Sequence, residues 1–264
     1  MSPYLSTPGV PTIVDTSGHF SKVWFLDYVI KTYGVFPVWC DIWYAGYPFL
    51  QFYPPLSYVT ASAIGLLTNS ALTGFYTTIG LVYVLSSWFI YLGSFYIFKS
   101  RISGIFAAVV YTFSPVVSGW VFFGAFPFIF GSALLPLMIP LLEYAMKSPS
   151  FPRIVLFSIA FSVVLLSHGS IIAFAILMIG VYWLIRSITN ADHGFKRRIY
   201  SFLSSLKALM VSILLAVSFS AFYYLPFLSY QSMFFTRGGS PSASIKIPSL
   251  THTLSLLFVK GYEN

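Results

Sequence analysis

Acidic and titratable side chains are scarce in this sequence, so the positions of the few that occur carry most of the chemical information. Six residues are Asp or Glu. Asp15, Asp27 and Asp41 fall in the N-terminal segment, Glu143 ends an apolar run, Asp192 lies in a basic stretch and Glu263 is near the end. A carboxylate beside a membrane can act as general base toward a hydroxyl or hold a divalent cation such as Mg or Mn. Asp15 and His19 stand at i,i+4 and share a face if that stretch is helical. The alternative is an Asp capping a helix that starts near Ser17 or Gly18, with His19 an interfacial residue. His168 follows the apolar run IVLFSIAFSVVLLS. Ionisable groups at membrane depth are costly and often functional, whereas a polar residue beside Gly169 also marks the turn of a helical hairpin. Arg237 lies with Gly238, Gly239 and His252, where its guanidinium can meet a lipid phosphate or face water. Glu143 and Lys147, at i,i+4, predict a local ion pair.

The elements that must position these groups are set by composition. Of 264 residues, 58% are hydrophobic and 8% charged, against about 25% charged in a soluble domain. Mean hydropathy is +0.84. Such a chain cannot cover itself with charge and belongs in a bilayer. The net charge of +8 does not point to nucleic acid, because the basic residues sit between apolar runs and form no stripe. The single cysteine, Cys40, excludes an intramolecular disulfide and is expected to be packed. Met1 to Val14 lacks the basic start and apolar core of a secretory signal.

A membrane helix needs about 20 mostly apolar residues. Phe75–Phe98, Ile102–Val117, Pro127–Met146, Ile154–Ser167, Gly169–Ile188 and Ala208–Leu228 meet or approach this, the fourth and fifth as a hairpin. Leu56–Leu67 is weaker, diluted by Ser57, Thr60, Ser62 and Gly65, and suits an interfacial helix as well as a span. The expected fold class is all-α, a polytopic transmembrane bundle of about six or seven membrane helices with an outer juxtamembrane-helix loop. Residues 1–55 form the outer juxtamembrane segment, 56–228 the bundle and 229–264 an outer tail that reads as truncated. Lys99 with Arg101, Lys147 with Arg153, and Arg186 with Lys196, Arg197, Arg198 and Lys207 mark three cytoplasmic turns. This places Ser118–Phe126, the turn at His168, and both terminal segments outside a cell membrane crossed several times. A long outer segment with no signal before it implies a further helix upstream, or one supplied by another membrane subunit.

Gly18–Tyr33 has helical character, with Asp27 and Lys31 at i,i+4. Gly34–Leu56 does not, because Pro37, Pro48, Pro54 and Pro55 preclude a continuous helix. Its rings suit headgroup depth. There is no phosphate-binding glycine loop, no zinc spacing of Cys and His, no G-x-S-x-G elbow, and no acidic series through the spans.

The order Asp15-x3-His19, Pro37-x-Trp39, Gly46-x-Pro48 and Tyr53-Pro-Pro-Leu56 resembles the first outer loop of GT-C glycosyltransferase-superfamily membrane proteins. It is closest to the archaeal and bacterial group of 6-pyruvoyl-tetrahydropterin-synthase-related membrane proteins. Tyr111-Thr-Phe-Ser-Pro115, Leu166-Ser-His168 and Ala221-Phe-Tyr-Tyr-Leu-Pro226 are similar to that group's spans. The resemblance implies a GT-C-like fold whose first outer loop carries a catalytic acid, with a polyprenyl-phosphate sugar as donor. Asp15 is then the acid/base with His19 beside it, Asp15 is also the candidate metal ligand, and His168, Arg237 and Asp41 are candidates for substrate or lipid-phosphate binding. The sequence departs from the GT-C pattern in Ser118–Phe126, which holds no second acidic motif, and in lacking the usual first helix, later spans and outer domain. It reproduces no histidine zinc site of the soluble pterin synthase.

Three functions are consistent with this: a GT-C-like transferase or fragment acting on lipid-linked sugars, a non-catalytic membrane subunit that binds lipid or a partner protein, and, third, a transporter. No nucleic acid is expected as partner.

Overall fold

The computed structural model describes residues 15–42, 46–189 and 195–230. By compactness the chain divides into Met1–Tyr224 and Leu225–Asn264. Of the second unit, the described part is the last stretch of one helix.

Helix α1 (Thr16–Tyr33) follows Asp15 and ends at Gly34. The proline-rich stretch after it makes a minimal antiparallel pair, β1 (Trp39–Cys40) and β2 (Tyr47–Pro48), with Trp39 opposite Pro48. Prolines without N–H groups and with fixed φ leave room for nothing longer. Helices α2 (Leu56–Thr68) and α3 (Ala71–Phe98) form a tight hairpin through Asn69 and Ser70, whose hydroxyl accepts from Thr73 N at 3.1 Å. Gly74 makes the hairpin possible. A Cβ there would stand 2.5 Å from Gly65 N, so only the missing side chain lets the two backbones pass.

Beyond α3 come α4 (Arg101–Thr112), α5 (Pro115–Phe122), α6 (Phe126–Ser132), α7 (Leu135–Lys147), α8 (Phe151–Leu165), α9 (Gly169–Thr189) and α10 (Phe195–Tyr230). Among the described residues, four stretches are long and apolar enough to cross a membrane: Ala71–Phe98, Phe126–Lys147, Gly169–Thr189 and Ile199–Ser229. A fifth exists if α4 and α5, bent by 41°, count as one span. The helices α2 and α8 are apolar but short.

Three expectations change here. The run Ile102–Val117 is not one straight helix, because Ser114 caps a new one, accepting from Val116 N at 3.3 Å, and Pro115 at its start cannot continue α4. For the same reason Ser118–Phe126 is not an open loop, since most of it is α5. The run Pro127–Met146 is also interrupted, between α6 and α7.

One core joins α7, α8, α9 and α10 through Met138, Leu142, Phe157, Phe161, Ile171 and Leu209. A second joins α1, α2, α3 and α6 through Val23, Leu26, Tyr58, Phe75 and Phe126, and includes Cys40, which is buried as expected. Apolar positions such as Ile102 and Phe113 stay about four-fifths exposed, as suits a helix in contact with lipid. Buried hydroxyls of Ser86, Ser158, Ser212 and Ser220 donate to carbonyls one turn back in their own helices, at 2.7 to 2.9 Å.

The ends of α7 and α9 lie side by side, next to the α7–α8 turn, where Arg153 stands at the start of α8. There the Glu143 carboxylate of α7 accepts from Arg186 Nε, from Arg186 Nη2 at 3.3 Å and from the Tyr182 hydroxyl at 3.1 Å, both partners lying on α9. Glu143 therefore pairs across helices rather than with Lys147. A bidentate guanidinium on a neighbouring helix offers better geometry than a flexible lysine one turn away. The expected Asp27–Lys31 pair does form, at 2.8 Å.

Candidate functional site

The opposite end of unit 1 gathers residues that are far apart in sequence. Leu56 N donates to Leu166 O at 3.2 Å, tying the start of α2 to the end of α8. The Tyr224 hydroxyl donates to Leu165 O at 2.6 Å, and Gln51 Nε2 to Tyr223 O at 3.2 Å. Asp15 N donates to Phe123 O at 3.4 Å, seating the start of α1 on the turn after α5. That turn depends on Gly124, whose φ of +72° suits glycine and whose hydrogen faces the backbone of Thr16.

Asp15 occupies the N-cap position, but its side chain makes no capping bond and is exposed. The carboxylate is thus held at the helix start without being consumed there. Behind it His19 and Tyr58 are buried, Lys22 is half-buried and the Tyr53 ring reaches the surface. His19 is 6% exposed, and a hydrogen bond of 2.7 Å joins its Nδ1 to the Tyr58 hydroxyl of α2. The Tyr53 ring meets His19 edge-on at 5.5 Å and Tyr58 at 6.4 Å. Lys22, one turn beyond His19, sets its ammonium 5.4 Å from the centre of the Tyr53 ring and donates to Gly18 O at 2.9 Å.

Burial pushes the His19 pKa down to about 3, helped by the charges of Lys22 and His168. The imidazole is therefore neutral at physiological pH. Burial also lowers Lys22, opposed by the Asp15 carboxylate and then Cys40. It raises the Tyr53 phenol, with Asp15 adding to the effect. Asp15 therefore lies within electrostatic reach of both Lys22 and Tyr53. His168 is half-buried, lowered by burial, and its Nδ1 accepts from Ser170 N at 3.3 Å. It marks the turn before α9 and also faces the His19 side of the site, packing against Phe128 at 5.6 Å.

Of the residues expected from sequence, Asp15, His19 and His168 come to this end. The ring of His19 turns inward to Tyr58 and not to the Asp15 carboxylate. Asp41 is exposed after β1, and Arg237 and His252 lie outside the described residues. Sequence reasoning missed Lys22, Tyr53 and Tyr58. Lys22 continues the Asp15–His19 face of α1 and was legible by helical spacing, whereas Tyr58 reaches His19 across 39 residues and leaves no local signal. Among the described residues no three His, Cys, Asp or Glu side chains are placed to hold a metal. Among the described residues Asp15 has no second ligand for a cation, because His19 is committed to Tyr58.

Fold and composition define an α-helical membrane protein. Residues 50–260 match the PTPS-related family, the 6-pyruvoyl-tetrahydropterin synthase related domain, a membrane protein, and the chain belongs to that family. Asp15, His19 and Lys22 precede the matched stretch, whereas Tyr53, Tyr58, His168 and Tyr223 lie within it. No curated protein and no solved structure matches the chain.

Proposed function

We propose that this protein is a GT-C-like membrane glycosyltransferase, or part of one, moving a sugar from a polyprenyl-phosphate donor to a hydroxyl at the outer face of the cell membrane. The observation that carries this reading is Asp15, an exposed carboxylate fixed at a helix start, free of its capping role, near half-buried Lys22 and the exposed Tyr53 ring, with His19 and Tyr58 buried behind them. Support comes also from the motifs of the GT-C resemblance. Tyr53-Pro-Pro-Leu56, Leu166-Ser-His168 and the Tyr223–Tyr224 pair meet at this one end.

The Asp15 carboxylate takes the proton of the acceptor hydroxyl as the acceptor oxygen forms its bond to the anomeric carbon. The bond from that carbon to the phosphate oxygen breaks, and its electron pair leaves with the lipid phosphate. Lys22 supplies positive charge to that phosphate, and Arg237, His168 and Asp41 remain candidates for holding donor or acceptor. Neutral His19 positions the site by holding Tyr58. With the basic turns in the cytoplasm, α1 and residues 1–55 lie outside as a juxtamembrane layer, α2 lies in the interface beside them, residues 229–264 form an outer tail, and α8 with the bent α4–α5 pair brings the crossing helices to about six.

The test is transfer of radiolabelled sugar from polyprenyl-phosphate donors by the purified chain in lipid bilayers. Asp15→Asn is expected to lower the rate by about 100-fold or more with an unchanged melting profile. Unchanged turnover in that variant removes Asp15 as the base, and no turnover by the folded wild type removes the enzyme reading.

A further inference from the structure

At the basic end of the bundle, away from the Asp15 cluster, a groove of about 450 Å³ opens between the α7–α8 turn and the first half of α10. Pro149, Ile154, Leu203 and Val211 give it apolar walls, and Ser204 and Lys207 are its polar members. Lys207 is the one charged residue in the Ile199–Ser229 span. A lysine inside an apolar span is costly unless it snorkels to the interface or meets an anion. Two of the described carboxylates are committed elsewhere, Glu143 to Arg186 and Asp27 to Lys31. Among the described residues none pairs with Lys207. The surrounding charge has the same sign: Lys147 is exposed at the adjoining turn, and Arg153 is held there by the Tyr144 ring at 4.2 Å and by donation to Ser148 O at 3.2 Å.

We propose that this groove seats an anionic glycerophospholipid of the surrounding bilayer. The lipid phosphate meets the Lys207 ammonium and the Ser204 hydroxyl, and one acyl chain lies along Ile154, Leu203 and Val211. The volume accommodates a glycerol phosphate and part of one chain, not a whole lipid, as expected for an open groove facing the membrane. A zwitterionic lipid brings its own cation into a region that is already positive, so the site selects anionic headgroups. This assignment is independent of sugar transfer, since no residue of the groove belongs to the Asp15 cluster.

Native mass spectrometry of the full chain, released from mixed micelles holding equal phosphatidylglycerol and phosphatidylcholine of matched acyl chains, tests it. Retention of phosphatidylglycerol over phosphatidylcholine by about fivefold is expected, the weight of one basic residue at a membrane surface. Lys207→Gln should abolish the preference and Lys207→Arg should keep it. Ser204→Phe, which fills the groove at a half-exposed position, should lower retention of phosphatidylglycerol while leaving Lys207 in place. Equal retention of the two lipids by the wild type, or a preference that survives Lys207→Gln, overturns the site. Wild-type retention in Ser204→Phe moves the lipid out of this groove and overturns it equally.

Discussion

The Nδ1 of His19 and the hydroxyl of Tyr58 lie 2.7 Å apart, both side chains buried, and this bond joins α1 to α2 behind the exposed carboxylate of Asp15. It fixes the first turn of α1 against the rest of the protein from the inside. The Asp15 N to Phe123 O bond does the same from the outside. Tyr58→Phe removes the hydroxyl and leaves a buried ring nitrogen unsatisfied, a loss of about 1–3 kcal/mol. Thermal unfolding in detergent should show the drop, and a double-mutant cycle with His19→Phe should recover much of it as coupling energy. Additive effects of the two changes would mean that the bond contributes nothing.

The same histidine makes stability depend on pH. His19 is held near 3 in the folded protein and lies near 6.5 in the unfolded chain. The unfolded state therefore binds the extra proton first, and stability is full above about pH 6.5 and declines as pH falls from there toward 3. The slope approaches about 1.4 kcal/mol per pH unit once the unfolded histidine is protonated. His168, also lowered by burial, adds a contribution of the same sign. Melting curves between pH 7.5 and 5 should show this decline, and His19→Phe should flatten it.

Gly124→Ala should separate position from chemistry. At φ +72° a side chain is strained, and the new Cβ would stand 2.5 Å from Thr16 N. Relief requires the start of α1 to move, taking Asp15 with it. The expected result is a stability loss of about 1–3 kcal/mol and a fall in transfer greater than that loss explains, read from kcat at a temperature where the variant is folded. Full kcat in a destabilised variant would show that the Phe123–Gly124 turn does not place Asp15.

Glu143→Gln leaves the half-buried Arg186 without its counter-charge, a loss of up to about 3 kcal/mol, the lower end of the cost in a full interior. The double replacement Glu143→Leu with Arg186→Met should restore most of the lost stability, because neither desolvated charge remains. Unfolding midpoints of the wild type and the two variants decide the matter. A double variant no better than Glu143→Gln would mean that the pair specifies the α7–α9 packing rather than merely neutralising itself.

The sequence made some of these features legible and concealed others for identifiable reasons. Apolar runs located the membrane helices, and the i,i+4 pair of Asp27 and Lys31 formed as spaced, because both signals are local. The same local rule misassigned Glu143, whose better partner, Arg186, lies on another helix 43 residues away. Hydropathy alone ran through Ser114 and Pro115, where a cap and a missing N–H end one helix and start the next. Asp15, His19 and His168 were marked by type, since ionisable residues are rare in this chain. Tyr58 was invisible among 19 tyrosines, because its value lies in what it touches.

The Leu56 N to Leu166 O bond also bears on the order in which the protein is made. A ribosome delivers α1 and α2 well before it delivers the end of α8, so the amide of Leu56 must wait for its acceptor while the intervening helices enter the bilayer. The α2–α3 hairpin, closed by neighbours at Gly65 and Gly74, can form during that interval. The contacts that Leu56 and Gln51 make with Leu166 and Tyr223 cannot, and they form only when the later helices have been threaded. Assembly of this end is thus among the last events of biogenesis, so the start of α1 takes its final seat only after the bundle behind it is complete.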